Sequence, residues 1–293
     1  MLYKKSGFIF LLLFAFVTLF ALNSMQNNYL IFDVTQNKTL TFSELVSALS
    51  TTQVVFFGED HNDAVAHYLE DTLLKALVRT KKNVALSLEM FETDCQAPLN
   101  EYVAGFITEK QFLANSRPWN NYNDYKPMVE TAKQYQLPVI AANAPRRYVS
   151  LVHQSGVETL MKLDKLSKTY LPPLPFSAAP AAYQQKFESI MGGHAQFNQN
   201  MFDAQNLWDA TMSNSIYRFW KHNKSYTIFQ VNGRFHSDDK LGIFARLHTL
   251  SPKIKMKNIS CFSDAQFTHH HWDEWKQQAD FIIITNPDVP KTF

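Results

Sequence analysis

An α/β fold, with a mainly parallel sheet flanked by helices and a small helical insertion, follows from three observations. Near-continuous apolar runs recur at Val54–Phe57, Val84–Met90, Val139–Asn143 and Thr227–Asn232. Stretches of helical periodicity lie between them. Several runs end in a glycine or a polar residue, as strands do at a sheet edge. Parallel strands are covered on both faces and so read as unbroken apolar stretches rather than alternating ones. Strands alternating with helices imply right-handed crossovers.

Residues 1–24 stand apart. Lys4 and Lys5 precede the apolar run Phe8–Leu22, the layout of a secretory signal or of an uncleaved N-terminal anchor. Both readings imply export, to the periplasm or cell envelope, with membrane attachment through this segment if it is retained. Without it Lys+Arg falls from 28 to 26 against 26 Asp+Glu, a neutral domain that offers no basic face for nucleic acid. The 8 glycines are few for 293 residues, and no glycine-rich phosphate loop is found. Cys95 and Cys261 lie in no metal-type spacing and are expected as buried thiols.

From about residue 40 to 290 the elements follow in order. Leu40–Leu45 opens a capped helix, in which Thr41 or Ser43 can accept a bond from an early backbone N–H. Val54–Phe57 is the first strand, and Asp63–Arg79 carries Val65, Leu69, Leu73 and Leu77 at helical spacing. Val84–Met90 is the second strand, and helical segments rich in aromatic residues run to about Tyr135. Val139–Asn143 is the third, before a helix from Arg146 to His153. Four prolines between Pro172 and Pro180 break the alternation, and Ala182–Lys221 reads as helical. We therefore expect a helical insertion over about 157–200. The sheet resumes at Thr227–Asn232 and closes with Lys255–Phe262 and Phe281–Thr285.

Two stretches far apart have one shape: Gly58-Glu59-Asp60-His61 and Gly233-Arg234-Phe235-His236, each after an apolar run. A third run ends in Glu89. Ligands bind beyond the carboxyl ends of parallel strands, so Glu59, His61, Glu89 and His236 are expected on one rim. These donors suit Zn or Mn with an open position for water, Glu59 or Glu89 then serving as general base of a hydrolase. The bland alternative makes Glu59 a helix-capping carboxylate and His61 a satisfied polar group. Asn143 and Arg146 either bond an anionic ligand group at that rim or serve turn chemistry. Gln205 and Asp209, four residues apart on one helix, are placed to orient a rim histidine. His269-His270-His271 is read as a solvated loop, because successive side chains diverge. Trp119, Tyr122 and Tyr125 supply core area or stack on a flat ligand.

Further motifs support a family resemblance. Beside Gly58-Glu59-x-His61 stand Leu88-Glu89-Met90-Phe91, Trp119, Tyr125-x-Pro127-Met128-Val129 and Leu137 through Arg146. Ala204-Gln205-x-Leu207-Trp208-Asp209 and Gly233-x-x-His236 continue the match downstream. On these residues the chain resembles the ChaN-like haem-binding family of the superfamily that also holds Tiki-type metalloproteases and erythromycin-esterase-like enzymes. The resemblance implies an exported haem-binding protein of iron or haem acquisition, with haem held between two monomers by a tyrosine and by basic side chains on its propionates. Tyr183, with Lys186 and His194, is the candidate set in the insertion, and a haem-dependent homodimer is expected. The chain departs from the family in lacking a cysteine for lipidation and in carrying bulky Arg234 and Phe235 in the second turn. The alternatives are a metal-dependent hydrolase and a structural scaffold.

Overall fold

The computed structural model describes residues 27–190 and 198–293. Eight strands form one sheet in the order β2-β1-β8-β7-β3-β6-β4-β5. They are β1 Tyr29–Asp33, β2 Lys38–Leu40, β3 Val54–Glu59, β4 Val84–Glu92, β5 Val139–Asn143, β6 Thr227–Gly233, β7 Met256–Ser263 and β8 Phe281–Thr285. From β8 across to β5 every pairing is parallel. The hairpin β1–β2 adds two antiparallel strands at one edge, ahead of the first element expected from the sequence.

Alternation along β3 explains the layering. Val55 and Phe57 face one core with Leu69, Leu73 and Leu77 of α2 (Ala64–Thr80) and Met128, Val129 and Ala132 of α5 (Tyr122–Tyr135). Val54 and Phe56 face the other, with Met212 and Ile216 of α9 (Gln199–His222) and Ile243 and Leu247 of α10 (Gly242–Leu250). With both faces covered, all six residues of β3 are buried. Full burial of one such side chain contributes roughly 1.5–3 kcal/mol, so the two cores are the main source of stability.

Local signals fix the helix starts. Thr41, of the two candidates, caps α1 (Phe42–Ala48), and the Glu44 side chain accepts the Thr41 N–H in return. Asp63, and not Glu59, caps α2, its carboxylate accepting the Val65 and Ala66 N–H at 2.9 and 3.2 Å. Two further helices, α3 (Gln96–Val103) and α4 (Glu109–Ser116), precede α5. Helix α6 (Arg146–Ser155) packs through Tyr148, Val149 and Val152 against Leu160, Leu171, Ala204 and Leu207. After it come a six-residue 3-10 helix at Val157–Lys162, the short α7 (Lys165–Thr169), the proline-rich stretch and α8 (Ala181–Ile190). Tyr183 and Phe187 of α8 rest on Phe202 and Phe235. Cys95 and Cys261 are both buried free thiols.

Candidate functional site

The two Gly-x-x-His turns are neighbours because β6 inserts between β3 and β4. Gly58 pairs with Asn232 and Glu59 with Gly233, so residues far apart in the chain share one sheet edge. The glycines make this approach possible. A Cβ on Gly58 would lie 2.9 Å from the Cα of Arg234 and 2.9 Å from Ser237 Oγ. A Cβ on Gly233 would lie 2.6 Å from Nε2 of His61. Each turn thus leaves room for the other, the use of glycine where backbones approach closely.

The two histidines are held by different carboxylates. His61 Nδ1 donates to Glu59 Oε1 at 2.9 Å, and Tyr125 donates its hydroxyl to the same oxygen at 2.8 Å. The His61 side chain remains 35% exposed. Burial alone would lower its pKa, but the Glu59 bond and the charge of Glu89 raise it on balance. His236 Nδ1 lies 2.6 Å from Asp209 Oδ1, and its Nε2 lies 3.4 Å from Glu89 Oε1. Burial is outweighed there too: the charges of Glu89 and Asp209 push His236 up to about 10. Glu89 also accepts the Gly233 N–H at 2.7 Å. Its pKa is lowered, burial being outweighed by His236. Gln205 places its amide 3.1 Å from His236 Nδ1.

Behind Glu59 lies a network that the sequence did not announce. His67 Nδ1 sits 3.0 Å from Glu59 Oε2 and 3.3 Å from Glu70 Oε2, all three residues buried. Desolvation would lower His67, but the bonds to Glu59 and Glu70 raise it to about 11. Burial and the charge of Glu59 hold Glu70 well above the carboxylate range. Glu59 itself is depressed, since bonds from His61 and His67 outweigh its burial. The His67 imidazole thus stands between two buried carboxyl groups whose pKa values are pushed apart, Glu59 down and Glu70 up. The spacing of His67 and Glu70, three apart on α2, is the one hint the sequence carried.

Glu59, His61, Glu89 and His236 ring one crevice but form two separate pairs, with Glu59 turned inward beneath His61. Among the described residues, a trio whose ligand atoms all lie within 4.8 Å is instead Glu59, His67 and Glu70. Asn143 is buried and spends its side-chain oxygen on the Ala144 N–H at 2.9 Å, the turn role. Arg146 does not reach the crevice. It lines a second cavity, because β5 lies beyond β4 and three strands from β3.

The crevice opens into a cleft of about 580 Å³ lined by Glu59, His61, Arg234, His236, Phe187 and Ile190 among others. Phe187, Ile190, Phe235 and Phe293 give it an apolar wall, and Ile190 and Phe293 are exposed by 63% and 71%. Of the haem candidates, Tyr183 is fully buried beside this wall and accepts a bond from the Gln205 amide at 3.3 Å. Burial and the nearby Asp209 hold its phenol well above its ordinary pKa. It presents no face to a haem in this conformation and reaches one only if α8 leaves Phe202 and Phe235. Lys186 is engaged by the Asp239 carboxylate at 2.9 Å and the Asp238 carbonyl at 3.0 Å. His194 lies outside the described residues, as does the leader. His269 and His271 are exposed, and His270 lies tilted against Trp272 with ring centroids 4.5 Å apart.

Comparison with known proteins follows the fold. The structure superposes on the ChaN of Campylobacter jejuni, described as showing cofacial haem binding, with a TM-score of 0.67 and 16% identity. That match covers 88% of this chain and 97% of the other. A mutant of the erythromycin esterase EreC, in its open conformation, gives a TM-score of 0.47 at 11% identity over 80% of this chain and 77% of its own. The type III effector HopBA1 also gives 0.47, at 14% identity over 83% of this chain and 91% of its own. Curated proteins give no match. Residues 45–247 match the family described as "Haem-binding uptake, Tiki superfamily, ChaN".

Proposed function

This chain belongs to the haem-binding uptake family of the Tiki superfamily, the ChaN group, and from that membership we propose that it binds haem in the cleft beneath α8 and serves haem or iron uptake. The observation that carries the placement is the apolar lip. Ile190 and Phe293 are large, apolar and exposed at the mouth of a cleft whose floor carries histidines. Exposed apolar side chains gathered at a concave site mark a ligand or a partner. Haem is flat and apolar with two carboxylates, so one face can lie on Phe187, Ile190 and Phe235 while its anionic edge turns outward. The same lip suits a second copy closing over the ligand, giving a homodimer that haem favours because the ligand stabilises only the state that holds it. The leader-like residues 1–24 support export to the periplasm or cell envelope.

Titration of purified protein with haem tests the reading. A saturable shift of the Soret band is expected, with sedimentation velocity showing a faster species only when haem is present. No spectral change on haem addition ends it.

A second reading, a metal-dependent hydrolase, is favoured by the way a carboxylate orients each histidine. Glu59 fixes Nδ1 of His61 and Asp209 fixes Nδ1 of His236, as acidic partners do for metal-binding imidazoles. A divalent ion, when bound, would supply an activated water. His61 Nε2 and Glu89 would hold it, with His236 Nε2 joining only on giving up its proton to the ion, and the hydrogen bond from the Gly233 N–H would steady Glu89. Metal analysis of the purified protein decides: absence of Zn, Mn and Fe, with no change in melting temperature on adding them, removes this reading.

A further inference from the structure

A second cavity, of about 750 Å³, lies one indole away from the cleft. It is lined by Glu92 at the end of β4, Arg117, Trp119 and Asn121 after α4, and Arg146 and Arg147 at the start of α6. Three guanidinium groups thus face one space with two acids, Glu92 and Asp94, beside them. Arg117 binds Glu92 through Nη2 at 2.8 Å and Asp94 through the same nitrogen. Arg147 binds Asp94 and the Tyr148 hydroxyl. Arg146 is exposed and forms no ion pair with a described residue, leaving one uncompensated positive charge. The acids fix the planes of Arg117 and Arg147 without exhausting them. A guanidinium carries five N–H donors, and Arg117 spends a single nitrogen on both carboxylates.

Arg117 also has a left-handed backbone, φ 45° and ψ 51°, where glycine or asparagine is the usual occupant. Trp119 supplies a partly exposed ring, and its other edge meets His61 with ring centroids 5.0 Å apart. We propose that this cavity binds a small flat molecule bearing a carboxylate, its oxyanion held by Arg146 with the open donors of Arg117 and Arg147, and its ring against Trp119. Planar forks matched to a planar oxyanion favour a carboxylate, and an indole face favours a ring attached to it.

Calorimetry on the full chain with 2-naphthoate, inorganic phosphate and 2-naphthylmethanol tests the proposal. Naphthoate should bind, phosphate more weakly, and the neutral alcohol not measurably. Naphthoate affinity should fall with added NaCl, as for exposed charges. Arg146→Gln should weaken naphthoate by about tenfold or more, the usual loss for a charge-assisted bond, while Arg146→Lys keeps part of it. Both variants should melt with the wild type, because Arg146 is exposed and unpaired, and their haem titration curves should superpose on it. Wild type that ignores naphthoate, equal naphthoate affinity in Arg146→Gln, equal binding of the alcohol, or phosphate binding as tight as naphthoate each overturns the proposal. So does a loss of haem affinity in Arg146→Gln, which would assign the cavity to haem. Wild type that binds naphthoate but not haem sinks the haem reading and leaves this one standing.

Discussion

The turns Gly58–His61 and Gly233–His236 share one sequence pattern and lie side by side, yet they produce two different histidines. His61 draws its carboxylate, Glu59, from its own turn and keeps a third of its side chain in solvent. His236 draws Asp209 from α9, has Glu89 on its other nitrogen, and is buried. An imidazole between two carboxylates is a lasting cation, whereas one facing a cleft is available to a ligand. The motif aims the ring, and the distant partner decides its charge.

The largest effect should come from removing that partner. Asp209→Ala leaves a buried imidazolium with half its counter-charge, and loss of a buried partner costs about 3–5 kcal/mol. His61→Ala, at a partly exposed ring, should cost less, about 1.5–3 kcal/mol in the same denaturant titration, as for loss of one hydrogen bond to a charged group. Equal losses would erase the distinction. The glycines sharpen it next. Gly58→Ala drives a methyl against the backbone of Arg234, which cannot step aside, and should cost about 1–3 kcal/mol as overpacking does. Gly233→Ala meets the end of a side-chain ring that can turn, so stability should fall less while the His61 resonances move in NMR spectra. A larger loss for Gly233→Ala would reverse the assignment of which turn yields.

Protonation gives a subtler contrast. With its folded pKa near 10, His236 holds a proton that the unfolded chain releases near pH 6.5. The stability so gained is complete below about pH 6.5 and is lost as pH rises towards 10. Titration followed by NMR should find His236 still charged at about pH 8, and Asp209→Asn should bring its midpoint down. A neutral His236 at about pH 7 would contradict the pairing. Smallest of all is Tyr183→Phe. It removes a buried hydroxyl that meets only Asp209 and Gln205 and faces no ligand, so the Soret band of added haem should stay in place; a displaced band would mean that α8 opens and delivers the phenol.

The six strands from β3 to β8 were legible because burial on both faces leaves an unbroken apolar run. The β1–β2 hairpin was not, since Lys38–Leu40 is three residues long with two of them exposed. The paired turns could be read because glycine and histidine recur at fixed spacing. His67 and Glu70 could not, as polar residues on a helix ordinarily face water and only packing against β3 shows otherwise. Arg146 was expected at the crevice because its strand ends there in principle. Strand order decides the matter: β4 stands between, and no local pattern encodes which neighbour a strand takes.

The edge hairpin sets how the molecule would meet a bilayer. Strand β1 runs against β8, with Tyr29 opposite Thr285, so the chain enters the domain at the same end of the sheet as the cleft. At about 4.7–4.9 Å per strand that entry lies about 14 Å from β3. Four residues separate Ser24 from Tyr29, five Cα steps that reach at most about 18 Å. A leader retained in the membrane would turn the mouth of the cleft towards the lipid headgroups, whereas cleavage would release the same mouth to face any direction.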